Sequence, residues 1–243
     1  MDEITKLKDI FIQEESLYLK QSQILIISDL HLGLNEQNNS FMLQSVRRIK
    51  NLIQMLNPKY IVFNGDIFHE FGNFSFKVLK EFKDMIFFAK ENKIDYFFIK
   101  GNHDTLLKNY LAKGDIKKET KTYLIKDENL ICHGDYMPNI YFGDVKRIII
   151  GHLHPAIILS ENQKKETFKC FIKGEFKQKE LLIMPSFSKF NYGINVLELK
   201  TYENISPFIL GEKQVDNFEV YVLDDKNNIV FFGKIKDIKK KLT

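Results

Sequence analysis

Short apolar runs, each ending at a small polar cluster, punctuate the first two-thirds of the chain. Ile24-Leu25-Ile26-Ile27 stops at Ser28-Asp29, Tyr60-Ile61-Val62-Phe63 at Asn64-Gly65-Asp66, and Tyr96-Phe97-Phe98-Ile99 at Lys100-Gly101-Asn102. Leu130-Ile131 runs into Cys132-His133, and Ile148-Ile149-Ile150 into Gly151-His152. Fully apolar runs bounded by turn residues predict buried strands of a largely parallel sheet. Between the first two runs Phe41, Met42, Val46, Ile49, Ile53 and Leu56 recur at helical spacing, with Ser40 as N-cap and Asn57-Pro58 as the stop. A second helix over 76–90 turns Val78, Leu79, Phe82, Met85, Ile86 and Ala89 inward. The β-α-β-α-β order predicts right-handed crossovers. Ligands bind at the carboxyl ends of strands in open α/β sheets, so the five polar clusters should converge on one edge.

After Pro155 the texture changes. Residues 168–176, 181–184 and 194–199 read as short strands, and 219–223 with 229–232 as a hairpin around Asp224-Asp225-Lys226-Asn227-Asn228. No helices separate them, which predicts a second, mostly antiparallel sheet packed on the first. The expected fold class is α/β with two layered sheets. It is expected to form one domain over 1–243, with the motifs in 24–155, further strands and a solvated basic tail (234–241) in 156–243, and no capping domain.

Composition narrows the class. A hydrophobic content of 44% with 22 Phe supplies a core, and 28% charged residues argue against disorder. The net charge of +4 comes almost entirely from Lys, because Arg47, Arg48 and Arg147 are the arginines. Scarce guanidinium weighs against sequence-specific DNA reading, although Lys can neutralise a phosphate backbone. Lys164, Lys165, Lys169, Lys173, Lys177 and Lys179 interleave with Phe168, Phe171 and Phe176, which reads as core plus solvated Lys rather than a single-strand platform. Cys132 and Cys170 lie far apart in apolar stretches, as reduced core thiols of a cytoplasmic protein do. The mixed-charge Met1-Asp2-Glu3-Ile4-Thr5-Lys6 predicts no signal peptide, and nowhere do about 18 apolar residues run together, so no membrane partner is expected.

All six histidines fall in or beside the clusters: His31, His69, His103, His133, His152 and His154. Imidazole, carboxylate and one amide oxygen, without thiolate-rich spacing, form a ligand set for Mn, Fe or Zn in oxygen chemistry. Asp29 and His31, one residue apart, would leave the same face of an extended strand end and share one ion. His152 and His154 would serve one ion each. Asp66 follows a glycine that allows a tight turn, and its carboxylate can bridge two cations. Asn102 adds a neutral oxygen and His133 another imidazole; seven ligands suit two ions rather than one. Two divalent cations outweigh Asp29 and Asp66 in charge, so a phosphate ester is the natural guest. Ions about 3.5–4 Å apart polarise phosphoryl oxygens and lower the pKa of a bridging water towards 7. The leaving oxygen then needs a proton, which His103 is placed to donate with Asp104 orienting its ring.

The clusters resemble the calcineurin-like metallophosphoesterases, whose pattern is D-x-H, G-D, G-N-H-D/E, a lone H and G-H-x-H. The match runs in order from Ile24 to Pro155 with nothing missing. The resemblance implies an α/β/β/α sandwich of two mixed sheets flanked by helices. It places Asp29, His31, Asp66 and His154 on one divalent ion and Asp66, Asn102, His133 and His152 on the other, with His103 as general acid. Asp66-Ile67-Phe68-His69, Cys132-His133-Gly134-Asp135-Tyr136 and Met184-Pro185-Ser186-Phe187 look like the SbcD-like repair nucleases, most like their small stand-alone PdeM-type relatives. There a histidine three positions after the bridging Asp helps to hold the DNA end, and His69 stands in that place.

The expected activity is therefore phosphodiester hydrolysis by metal-bridged hydroxide attack, in DNA or a nucleotide, with two Mn ions and with Fe or Zn as alternatives. Homodimerisation stays open. A small-molecule phosphoesterase, acting on a cyclic nucleotide or a nucleotide-sugar pyrophosphate, shares these motifs. A protein phosphatase is disfavoured because Thr105 and Leu106 stand where an Arg follows the G-N-H motif. A non-catalytic metal-binding scaffold would predict eroded motifs, and here they are intact.

Overall fold

The computed structural model describes residues 9–34, 39–69, 76–105, 107–113, 120–161, 164–202, 204–224 and 228–242. The side chains of Ser40, Phe41 and Met42 and the turn residues 225–227 lie outside the described residues.

The first sheet has the order β1 (Ile10–Gln13), β2 (Ser16–Leu19), β3 (Ile24–Ser28), β4 (Tyr60–Asn64), β5 (Asp95–Ile99), β6 (Thr120–Lys121). From β3 to β6 the strands are parallel, and β1–β2 is an antiparallel hairpin added at the edge. Helices α1 (Asn39–Leu56) and α2 (Phe76–Glu91) form the crossovers, and the short α3 (Leu107–Lys113) precedes β6. The second sheet contains β7 (Tyr123–Lys126), β8 (Asn129–Cys132), β9 (Arg147–Ile150), β10 (Pro155–Glu161), β11 (Lys164–Phe176), β12 (Lys179–Ile183) and β13 (Ile194–Asn195). Their order is β13-β10-β11-β12-β9-β8-β7; β14 (Glu219–Leu223) pairs with β11 and with β15 (Ile229–Lys234).

Several expectations change here. The motif strands do not share one sheet: β3, β4 and β5 belong to the first, β8 and β9 to the second. A single residue, Thr122, carries the chain from β6 to β7, and Asp127-Glu128 (φ 47° and 64°) turn it back into β8 with the backbone of a type I′ hairpin. The second sheet is mixed but, as expected, mostly antiparallel: β10–β11, β11–β12, β11–β14, β14–β15 and β7–β8 pair antiparallel, whereas β9 runs parallel to both β8 and β12 and β13 parallel to β10. Strand 194–199 stops at Asn195, whose Oδ1 accepts the Leu197 amide and opens a 3-10 helix over Val196–Tyr202. The basic tail is not a solvated end. It forms α5 (Ile235–Leu242), with Ile235 and Ile238 buried in the core and Lys239 paired with Asp216.

Period-two alternation explains the layering. Leu25, Ile27, Ile61, Phe63 and Phe98 pack under α1 and α2 with Ile49, Leu52, Phe82 and Met85. Their neighbours Ile24, Ile26, Val62 and Ile99 meet Ile131, Ile149, Phe171, Leu182 and Met184 between the sheets. The outer face of the second sheet, with Cys132, Ile148, Ile150, Cys170 and Ile172, is covered by Val196, Leu199, Phe208, Val215, Ile235 and Ile238. The result is two mixed sheets flanked by helices, an α/β layered sandwich. The carboxyl ends of β3, β4, β8 and β9 meet at one rim. Among the described residues no helix is long and apolar enough to cross a membrane.

Candidate metal centre

Each polar cluster continues directly from a buried strand, so its side chains start from fixed backbone. Asp29, His31, Asp66, His152 and His154 all lie at positive φ, between 42° and 64°. Non-glycine residues rarely adopt that conformation, and surrounding structure must hold them there. Here backbone hydrogen bonds between the loops do so: Asp29 N to Gly65 O (3.2 Å), His31 N to Asp66 O (2.9 Å) and Gly151 N to His133 O (2.8 Å). The extended strand end expected to bring Asp29 and His31 together is therefore not the device. Both lie beyond β3 in left-handed backbone, and the turn it makes brings them together.

Two ligand groups result, and they share one carboxylate. Asp29, His31, Asp66 and His154 each present an atom within 4.8 Å of the others, and so do Asp66, His133 and His152. Asn102 Oδ1 joins the second group, 3.1 Å from His133 Nε2. His133 Nδ1 lies 3.7 Å from Asp29 Oδ1, and its Nε2 3.4 Å from Asp66 Oδ2, so the two groups are continuous. Gly65, at φ +77°, lets the chain pass against the His133 ring, where a Cβ would collide with Nδ1.

The electrostatics suit cations. Burial would raise Asp29, yet His154, His133 and His31 hold it well below the usual carboxylate range. Asp66 is lowered too, its burial outweighed by the hydrogen bond and charge of His133. Burial drives His31 down to about 4, which leaves it neutral. Both of its ring nitrogens are buried without a hydrogen-bond partner among the described residues. For His133 burial is overcome by Asp66 and Asp29, which push it up to about 10. A proton there occupies the place that a metal ion would take. A buried imidazole with both nitrogens unsatisfied, beside two ionised carboxylates, is what a divalent cation would complete. The residues present fit such ions.

The remaining expected site residues surround this centre. His103 is half-buried; its ring lies 5.5 Å from that of His31, and its Nε2 is 4.0 Å from Asp66 Oδ2. His69 is placed 5.4 Å from the His31 ring and stacks on His103 at 6.3 Å. Asp104 works through the backbone: Oδ1 accepts the amides of Ile67 (3.0 Å) and Phe68 (3.4 Å), and Oδ2 that of Gly101 (3.0 Å). It staples the Asp66 loop to the Asn102 loop, and burial pushes it up to about 7 against those bonds. The carboxylate near the His103 imidazole is Asp66.

Three contributors are assigned no site role by the sequence, although Ser28 and Ser186 stand within its motifs. Ser28 Oγ donates to Asp29 Oδ2 (2.7 Å), Ser186 Oγ donates to the Asp29 carbonyl (2.8 Å), and the Ile205 carbonyl lies 3.1 Å from His152 Nε2. The last contact favours the Nε2–H tautomer and frees Nδ1 for an ion.

Residues 22–169, more than half of the chain, match the calcineurin-like phosphoesterase family. The chain is a calcineurin-like phosphoesterase. Comparison with the curated proteins finds no match. Among solved structures, Pseudomonas putida nuclease MPE superposes with a TM-score of 0.61 and 16% identity, over 90% of this chain and 93% of that one. Yfce, a phosphoesterase from E. coli, gives a TM-score of 0.40 and 13% identity, over 85% and 96%. The first of these supports the sandwich. Calcineurin-like phosphoesterases hydrolyse phosphoesters with divalent metals, and the two ligand groups lie inside the matched residues.

Proposed function

We propose that the chain is a two-metal phosphodiesterase acting on nucleic acid. The observation that carries this reading is the pair of ligand groups joined by Asp66. Asp29, His31, Asp66 and His154 would hold one divalent ion, Mn in the first instance, and Asp66, Asn102, His133 and His152 the other. Two ions so held would polarise the phosphoryl oxygens of a bound ester and acidify water for attack on it. His103, half-buried beside Asp66, gives its proton to the leaving oxygen. His69, stacked on His103 at the half-buried mouth, orients the substrate strand. Asp104 keeps the Asp66 and Asn102 loops in register and is a positioning residue. The fold shared with a nuclease, Pseudomonas putida MPE, agrees with a polynucleotide ester as substrate.

The test compares bis-p-nitrophenyl phosphate, p-nitrophenyl phosphate and single-stranded and nicked DNA, after metal stripping and refilling with Mn, for wild type and His103→Ala. The reading expects diester turnover that needs Mn, falls about 10²-fold or more in the variant, and extends to DNA. Turnover of the monoester alone, or an undiminished His103→Ala, would overturn it.

A further inference from the structure

Met184-Pro185-Ser186-Phe187 follows β12, and Ser186 Oγ meets the ligand residue Asp29 at its carbonyl rather than at its carboxylate. The backbone of the segment bonds to both sheets. Met184 N bonds to Ile150 O (2.8 Å) in the second sheet, and Phe187 N to Ser28 O (2.9 Å) and Ser188 N to Asp29 O (3.4 Å) in the first. With Ser186 Oγ on the same Asp29 carbonyl, residues 184–188 form a strap across the rim between the two sheets. The strap ends on the backbone of Asp29, which sits at φ 55° and needs outside support.

The strap is gripped from its other side. Arg48, on α1, donates from Nη1 to the Phe187 carbonyl (2.8 Å), and its guanidinium lies 4.0 Å over the Phe187 ring. Lys169, on β11, donates from Nζ to the Ser186 carbonyl (2.6 Å) and to the Ser188 carbonyl. Glu15, only 3% exposed, binds Arg48 Nη2 and lies 2.8 Å from Lys189 Nζ; Glu14 binds Arg48 Nε. Two basic side chains converging on three consecutive carbonyls, in a site where Arg48 is 8% exposed, make an expensive way to fill space. Apolar side chains of similar volume would stabilise the fold as well or better. What the polar arrangement adds is direction: it fixes where the carbonyls of 186–188 lie, and hence where their amides and the Ser186 hydroxyl hold Asp29.

We infer that Arg48 and Lys169 are positioning residues of the metal centre, which hold Asp29 in its ligating conformation through the 186–188 strap. The inference rests on the two-ion reading above. It predicts an asymmetry, because Asp29 belongs to the group with His31 and His154, whereas Asn102, His133 and His152 are reached by other loops. Loosening the strap weakens the ion held by Asp29 most; the other feels it only at second hand, through the Asp29 bond to the His152 amide and the His133 ring beside Asp29.

The test titrates Mn(II) into the metal-stripped full chain, for wild type, Lys169→Met, Arg48→Lys and the milder Ser186→Ala, and follows binding by calorimetry and by the Mn(II) resonance signal. Thermal melting confirms that each variant is folded. Wild type should bind two ions and show a spin-coupled pair. Each variant should bind one ion about 10–100-fold more weakly, lose clearly less affinity for the other, and show an uncoupled signal. Arg48→Lys, which keeps charge but not the fork, should fall between wild type and Lys169→Met. Folded variants that bind both ions as wild type does, or that lose both equally, would overturn the inference while leaving the two-ion reading in place. Fewer than two ions on wild type would overturn that reading and the inference with it. Ser186→Ala removes a single hydrogen bond, so it decides the matter should the charge variants fail to fold.

Discussion

Gly151, directly after β9, brings the chain of the second sheet up against the Asp29 carboxylate. A Cβ added there would lie less than 2.5 Å from Ser28 Oγ and from Asp29 Oδ2, where ordinary contact begins at 3.4 Å. The Asp29 carboxylate would therefore have to retreat by about 1 Å. It has nowhere to go: Asp29 is fully buried, and its oxygens are tied to Ser28 Oγ at 2.7 Å and to His152 N at 3.1–3.2 Å. Gly151→Ala should thus cost about 1–3 kcal/mol of stability by overpacking. A 1 Å misplacement at a reacting centre should in addition cost about 10²-fold in Mn-dependent diester hydrolysis. Gly174→Ala is the control, since its Cβ would strike the Phe218 ring outside the ligand groups. It should lose comparable stability and keep wild-type metal affinity. The assay pairs urea denaturation with Mn titration and turnover on each protein. A folded Gly151→Ala with wild-type affinity and rate would refute the geometry argued for Asp29.

Burial, with Arg48 and Lys189 adding to it against Glu15, brings Lys169 from 10.5 to about 7. Between those values the unfolded chain keeps a proton that the folded chain has lost, so stability should rise with pH through that window. Lys169→Met should flatten this part of the urea-midpoint profile, and an unchanged slope would contradict the assignment. Cys132 and Cys170 are fully buried and their thiols are pushed up by burial, so neither should react with a disulfide reagent in the native protein. Both should titrate in denaturant. Ser206→Ala removes the 2.7 Å bond to the Gly134 carbonyl that anchors the loop carrying the Ile205 carbonyl. It should cost about 1 kcal/mol and weaken the ion at His152 by about 10-fold, read by melting and by Mn titration.

The centre was legible in the sequence to the extent that its chemistry is carried by side chains. Asp29, His31, Asp66, Asn102, His133, His152 and His154 are chemically unmistakable types at short spacing after apolar runs, and the structure gathers them. The supports were not legible, because they are backbone. The Asp104 staple works on amides, the 186–188 strap on carbonyls, and the Ile205 contact comes from a residue whose side chain is irrelevant. In the fold, buried runs such as Ile24–Ser28 and Tyr60–Asn64 declared themselves by continuous hydrophobicity. Which sheet each strand joins did not, since it turns on a one-residue step at Thr122. Asp127-Glu128 and Lys177-Gln178 also form positive-φ turns without the Asn-Gly pair that would announce them. The tail misled because its lysines outnumber its two buried isoleucines, although Ile235 and Ile238 have the i, i+3 spacing of a docked helix.

The central claim, two ions sharing Asp66 and acting together on a phosphodiester, is tested most directly by stepwise Mn refilling of the stripped protein with bis-p-nitrophenyl phosphate turnover measured at each step. Turnover that stays near background through the first equivalent and rises with the second is the predicted result. Full turnover with one ion per chain, or turnover that persists in the stripped protein, would contradict it.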